Sequence, residues 1–393
     1  MVNLGTMALD EGGRIDFDRL RSDRRARVFA MMAEQGLDAL ILSRESNVRY
    51  ATGAHRLWVA GTRPFGPGCV LVGETGAVHL MSTWDEGIPA EIPREHLFGM
   101  SWNPLILVER LQAIDGLASA RRVGVDAMGP LWTQLLPLAA PEAAFVDGEG
   151  ALRAVRMRKS ADEVVCIRTA VAIAEASLST AIDTIRPGVR ERELAGAFAQ
   201  RMTEFGLTAP AMQGVFCATD PDVGGRSSRL RRIPGDRAVD EGTLVAIAGG
   251  VLYAGYEGSV GRTQPCTGRG SRTVTHQQRE LFERWSAVWT RIADVLHPGA
   301  TGADLRAAYE ASGEPLPGFP IALSVGVGVE APIAGSKLGP EFDRQWTLGP
   351  GTVLEVQAYV AGVAGGYLGL ETVLITDDGH EVLSTLTHGP LAS

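Results

Sequence analysis

At 393 residues the chain exceeds the roughly 100–200 residues of one ordinary domain, so two domains with sizeable cores are expected. Its 45% hydrophobic and 21% charged content is ordinary globular usage and excludes long disorder. A formal charge of -9 with no Lys/Arg run argues against nucleic-acid and anionic-membrane partners.

In chain order, Met1 to Arg27 shows no apolar core of signal-peptide length, and no window reads as the roughly 18 apolar residues of a membrane span. Cytoplasmic localisation is therefore expected. Ile15 to Gly36 has helical spacing closed by glycine, and Asp38 to Leu42 reads as a buried parallel strand. Strands are expected at Cys69–Val72, Ala77–Met81 and Arg122–Val125, with a helix over Leu107–Ile114, which makes the first domain α/β. The pattern changes near Arg153 to Lys159. A long amphipathic helix follows over Asp162–Ile185 and is stopped by Arg186-Pro187-Gly188, placing the domain boundary at about residue 155. Beyond it, helices are predicted at Glu191–Phe205, Thr275–Leu296 and Gly302–Ala311. Strands are predicted at Leu244–Tyr253, Tyr256–Thr263, Thr352–Val360 and Glu371–Thr376, with a turn at Asp377-Asp378-Gly379. Gly249-Gly250 and Gly365-Gly366 lack the Lys-Ser/Thr of a phosphate loop and read as hairpin or bulge glycines. Cys69, Cys166, Cys217 and Cys266 form no CxxC pair, so neither a zinc knuckle nor a disulfide framework is expected. Cys217 reads as a buried hydrophobe and not as a nucleophile.

Several ordered segments resemble the creatinase, prolidase and methionine aminopeptidase (pita-bread) superfamily. Asn47-Val-Arg-Tyr50-Ala-Thr-Gly53 is similar to the motif of the amino-terminal domain in its creatinase/Xaa-Pro peptidase branch. Arg158-Lys159-Ser160 with Glu163, and Arg186-Pro-Gly188 with Leu194, resemble the landmarks that open the carboxyl-terminal domain. Gly255-Tyr256, Arg262-Thr263, Glu330-Ala-Pro332, Pro350-Gly351 and Thr372 to Gly379 resemble its strand landmarks. The resemblance covers almost the whole chain. It implies an α/β creatinase-like amino-terminal domain over 1–155 and an α+β pita-bread domain over 156–393.

Hydrolytic members of that superfamily hold two divalent metals with two aspartates, a histidine and two glutamates, because hard cations need several oxygen ligands. Carried over residue by residue, the aspartate positions fall on Ala248 and Ser259. The histidine position falls on Ala322, the first glutamate on Gln357 and the second on Leu370, where a one-residue slip would bring Glu371 instead. Val329 stands where a second, substrate-contacting histidine is common. Ala and Leu offer no lone pair, Gln357 a neutral oxygen and Ser259 a weak one, so no metal and no other cofactor is expected.

Creatinase, a relative by this resemblance, hydrolyses a C–N bond without metal, using a histidine and carboxylates. Its histidine matches Arg231 here, so that mechanism does not transfer as it stands. Strand alternation puts Glu257 on the face of Ser259, and Glu355 on the face of Gln357 and Tyr359. The pair reads either as an acid/base pair with Arg231 as an anion or carbonyl clamp, or as two solvated surface glutamates. Tyr256, Tyr359, Ala248, Ser259, Ala322, Gln357 and Leu370 are the expected substrate-contacting positions. His276, His297, His380 and His388 read as solvated or capping residues. The loop with His55, Trp58 and Arg63 is either a surface loop or, in the homodimer that the resemblance implies, a wall of the partner's pocket. The expected function is a metal-independent enzyme on a small apolar or aromatic molecule. The rival is a non-catalytic pseudopeptidase binding a peptide, protein or small ligand; a metal-dependent Xaa-Pro aminopeptidase ranks third.

Overall fold

The computed structural model describes residues 15–54, 66–82, 87–221, 230, 233–267 and 274–391, apart from the side chains of 328–332 and 390. The described chain divides between Arg156 and Met157 into two compact units.

In the first unit helix α1, Phe17–Glu34, starts behind Asp16, whose side chain accepts the Arg19 amide at 2.9 Å, and stops before Gly36 at φ 63°. Strand β1, Ala39–Leu42, is buried throughout, as its unbroken apolar run requires. It lies within a six-stranded sheet with β2 (Cys69–Val72), β3 (Ala77–Met81), β4 (Leu97–Phe98), β5 (Arg122–Val125) and β6 (Ala144–Asp147), ordered β4-β3-β2-β1-β5-β6. Helix α2, Glu45–Thr52, holds the Asn47 to Tyr50 motif and was not apparent from periodicity. Asn47 Nδ2 donates to Asp126 and to Glu149, each at 2.7 Å, and Asp126 also accepts the Ser43 and Arg44 amides at 2.7 and 3.0 Å. Burial pushes the Asp126 carboxyl up, and those donors pull it back. The motif asparagine thus ties the start of α2 to the ends of two neighbouring elements. Gly53 closes α2 at φ 74°, and a Cβ there would lie 2.4 Å from the Arg21 side chain. Helices α3 (Pro104–Gln112) and α4 (Pro130–Ala139) bury Leu107, Leu111, Trp132 and Leu136 against Ile41, Val70 and Val123 of the sheet. Helix α5 runs from Glu149 to Met157.

In the second unit α6, Ala161–Asp183, opens with a capping box between Ser160 and Glu163. Contrary to expectation, it is long and apolar enough to cross a membrane; half of that apolar window is buried, and the helix packs on two strands, β8 (Leu244–Tyr253) and β9 (Tyr256–Pro265). Helix α7, Glu191–Glu204, and β7, Val215–Ala218, precede those strands. After them come α8 (His276–Ala293), α9 (Gly302–Glu310), β10 (Ala322–Gly326), β11 (Gly328–Ala334) and α10 (Pro340–Asp343). The chain closes with β12 (Val353–Gly362), β13 (Gly365–Ile375) and β14 (His380–Val382). The antiparallel sheet runs β11-β10-β12-β13-β9-β8-β7, with β14 also on β13. Helix residues Leu281, Trp285 and Val288 share one apolar core with Val356, Ala358 and Tyr367. Gly365, at φ 112°, turns the β12–β13 hairpin as expected. Gly249 and Gly250 instead lie in mid-strand, where the missing Cβ atoms leave room for Phe198 and for Ser259 Oγ.

At Gly258 the backbone of α6 closes directly on the sheet. A Cβ there would lie 2.3 Å from Val171 N and 2.6 Å from the Ala170 carbonyl carbon, backbone atoms that cannot swing aside. Gly258→Ala is expected to destabilise the second unit by about 1–3 kcal/mol, read from the denaturation midpoint; an unchanged midpoint would contradict this packing.

On the helix-covered face, Arg262 and Glu371 form an ion pair at 3.0 Å with both side chains almost fully buried. His388 is not a solvated histidine. Its ring joins Tyr367 Oη at 2.5 Å to Glu371 at 3.3 Å and lies tilted against the Trp285 ring, and burial lowers its pKa despite the carboxylate. His380 Nδ1 donates to Leu296 O at 3.0 Å, capping the carbonyl of a residue just past α8.

Candidate active-site cleft

Residues directly opposite each other on antiparallel strands share a face, so the pairing of β12, β13, β9 and β8 orders the candidate residues into rows. Glu355 faces Thr372, and Thr372 Oγ1 donates to Ser259 O at 2.7 Å; Ser259 in turn faces Gly250. The next row is Gln357, Leu370, Gly261 and Ala248. The third holds Tyr359 opposite Leu368. Four of the five positions matched to metal ligands, Ala248, Ser259, Gln357 and Leu370, therefore sit side by side on one face, with Glu257 one step along β9 from Ser259.

That face opens into a cleft of about 210 Å³. Ala211, Met212, Pro320, Leu323 and Val325 form its apolar walls, while Glu257, Glu355, Ser259 and Gln357 supply its polar groups. Both glutamates are nearly buried, 4% and 5% exposed, so they are not solvated surface carboxylates. Gln357 Nε2 donates to Pro320 O at 2.9 Å, which turns its Oε1 the other way.

The other expected contacts are placed differently. Ala248, Leu370 and Tyr359 share the cleft's face but do not line it; they are packed with Val215, Cys217 and Leu368 in an apolar cluster. The reason is Gly261: a Cβ there would come within 2.8 Å of Leu370 Cβ and 2.9 Å of Ala248 Cβ, so its absence lets those side chains close over the sheet. Ala322 is turned to the opposite face and joins the helix-side core, because β10 pairs Leu323 with Glu355 and Ala322 with Val356. Register shifts on either side of Leu323 in the β10–β11 pairing accompany that turn. Tyr256 also faces the helices, donating to Glu163 of α6 at 3.0 Å. Arg231, His55, Trp58 and Arg63 lie outside the described residues, as does the side chain of Val329. Sequence reasoning missed Leu323 and Val325, whose alternation across β10 carries a signal only once the bulged register is known.

Among the described residues no three His, Cys, Asp or Glu side chains come together as a metal-binding group. Glu371, the one-residue alternative at the last position, points away from the cleft into its pair with Arg262.

A two-domain chain whose second domain wraps an antiparallel sheet around such a cleft has the architecture of creatinase and prolidase. Residues 165–377 match the model of metallopeptidase family M24, and residues 24–158 match the creatinase/prolidase amino-terminal domain. The chain belongs to family M24, in the two-domain creatinase/prolidase branch of the pita-bread superfamily. It is 25% identical to an Xaa-Pro dipeptidase of Pyrococcus furiosus over 370 residues, covering 92% of this chain and 97% of that one. It is 24% identical to a creatinase of a Bacillus species over 384 residues, covering 93% and 91%. In three dimensions it is similar to a prolidase from Pyrococcus horikoshii, with TM-score 0.74, 20% identity and coverage of 93% and 99%.

Proposed function

We propose that the chain is a metal-independent enzyme acting on a small, apolar or aromatic organic molecule, with Glu257 and Glu355 as its acid/base pair. The observation that carries this reading is that both nearly buried carboxylates line one apolar-walled cleft. Carboxylates sharing such a site push their proton affinities apart, leaving one to give a proton and the other to take one. For C–N hydrolysis the ionised glutamate takes a proton from water as its oxygen adds to carbon, and the protonated one delivers its proton to the departing nitrogen. Elimination and cyclisation need the same two transfers. Arg231, by its sequence position, is the proposed clamp for an anion or carbonyl, and the active form is proposed to be a homodimer.

The family's dinuclear metal does not fit the described side chains. Of the matched positions only Ser259 and Gln357 present oxygen to the cleft, and neither carries charge. A second reading, a metal-dependent Xaa-Pro peptidase, is favoured by the family's name and by the dipeptidase and prolidase among its relatives. An open cleft with inward carboxylates supports an enzyme over a non-catalytic binding protein. Elemental analysis of purified protein, with hydrolysis of Xaa-Pro dipeptides in manganese and in chelator, separates the readings. The proposal expects metal well below one ion per chain and no chelator-sensitive hydrolysis; stoichiometric metal with chelator-sensitive cleavage would overturn it.

A further inference from the structure

We infer that Leu370, at the position matched to the second glutamate, closes one end of the cleft and fixes how long a molecule the site accepts. This deepens the reading above and rests on the same cleft, but on its carbon walls alone. The cleft uses the sheet face only so far. Glu257, Ser259 and Glu355 line it, and so does Gln357, the first member of the next row. Leu370 stands directly opposite Gln357, with Gly261 and Ala248 following across the sheet, and none of these three is a lining residue. The lining therefore stops within that row, between Gln357 and Leu370.

What stops it is hydrocarbon. Opposed residues on one face have Cβ atoms about 4.5–5.5 Å apart, so Leu370 stands immediately behind a wall residue. A Cβ on Gly261 would lie 2.8 Å from Leu370 Cβ and 2.9 Å from Ala248 Cβ, which brings those two side chains together above the glycine. Both are fully buried, and Val215, Cys217, Tyr359 and Leu368 pack with them. Ala248 brings only a methyl group to this closure, whereas Leu370 brings an isobutyl group and so supplies its bulk. The cleft holds only about 210 Å³, so space released behind it changes which molecule fits. Selection by this wall is steric. A body that fits gains from each carbon it buries, and one that is too long meets a close-packed cluster that does not yield. Trimming Leu370 leaves a carbon-lined hole beside the cleft, and apolar cavities of that kind stay dry and take up apolar groups.

The test is titration calorimetry, with ligand-observed NMR, on the full chain at neutral pH. The probes are benzyl alcohol and its 4-ethyl and 4-butyl derivatives, neutral molecules that differ only in length. The native chain is expected to bind benzyl alcohol at millimolar concentration and to gain nothing from the ethyl or butyl group. In Leu370→Ala the 4-ethyl probe should bind at least tenfold more tightly than benzyl alcohol, since each newly buried methylene is worth about fourfold. Leu370→Val should show the same preference to a smaller degree, and it carries the test if the alanine variant does not fold. Leu368→Ala removes the same group from the same cluster, one row farther from the cleft. It should lose thermal stability and keep the native length preference, which separates an end wall from a merely structural leucine. Circular dichroism and the thermal midpoint establish that the variants are folded. Native binding that tightens steadily along the series, a length preference unchanged in the folded Leu370 variants, or no binding by any probe would overturn the inference. Its failure is distinct from that of the catalytic reading. Length selection in a protein that turns nothing over would leave the inference standing, and turnover without such selection would do the reverse.

Discussion

Replacing either Glu257 or Glu355 by glutamine is expected to lower turnover of the substrate by about 10²–10⁴-fold, the usual contribution of one positioned proton-transfer group. Glutamine keeps the volume and one acceptor oxygen, so the cleft retains its shape, but it cannot exchange a proton at neutral pH. At 4% and 5% exposure neither site has bulk water to stand in as the base. The two variants should differ in their pH profiles. Loss of the base removes the limb that rises with pH, and loss of the acid removes the limb that falls. A substrate with a good leaving group should rescue the variant of the acid and leave the variant of the base unimproved. Full activity in both variants would remove the pair from the mechanism.

The second large effect lies on the opposite face of the same strands. Glu371→Ala or Arg262→Ala is expected to cost about 3–5 kcal/mol, because each leaves the partner's charge buried without its counter-ion. Arg262 is 2% exposed, and its guanidinium also donates to Gly261 O at 2.7 Å, to Leu370 O at 3.1 Å and to Leu386 O at 2.9 Å. Glu371 further accepts from Ser384 Oγ, so the pair fastens the carboxyl-terminal segment to β9 and β13. For a domain of this size the loss corresponds to a fall of roughly 6–20 °C in thermal midpoint. The double replacement Arg262→Met, Glu371→Leu should recover most of it, since an apolar pair leaves no stranded charge. A drop below about 1 kcal/mol in either single variant would show that the pair is solvated. The same experiment tests the assignment of Glu371: its loss should leave metal content unchanged, whereas a metal-ligating glutamate would change it.

The legible part of the molecule was local. Helices α6, α7, α8 and α9 follow from helical apolar spacing and, for α6, from the stop at Arg186-Pro187-Gly188, while their caps at Ser160, Thr275 and Thr301 came from the structure. The hairpin strands follow from apolar runs and from turns at Gly365 and Asp377 to Gly379. Short elements gave no such signal. Helix α2 is eight residues long and is held by Asn47 reaching Asp126 and Glu149, contacts 79 and 102 residues away along the chain.

By itself the sequence determined which side chains were available: acceptors without charge at Ser259 and Gln357, hydrocarbon at Ala248 and Leu370, and carboxylates displaced to Glu257 and Glu355. Covalent identity limits what any fold can coordinate, so that much needs no coordinates. Which of these groups meet was decided by strand register. A single shift turns a side chain through the sheet, and it sends Ala322 to the helices, brings Leu323 opposite Glu355 and leaves Glu371 facing Arg262. Register is fixed by pairings between residues far apart in the chain, and so only the tertiary structure gathers the two carboxylates into one cleft.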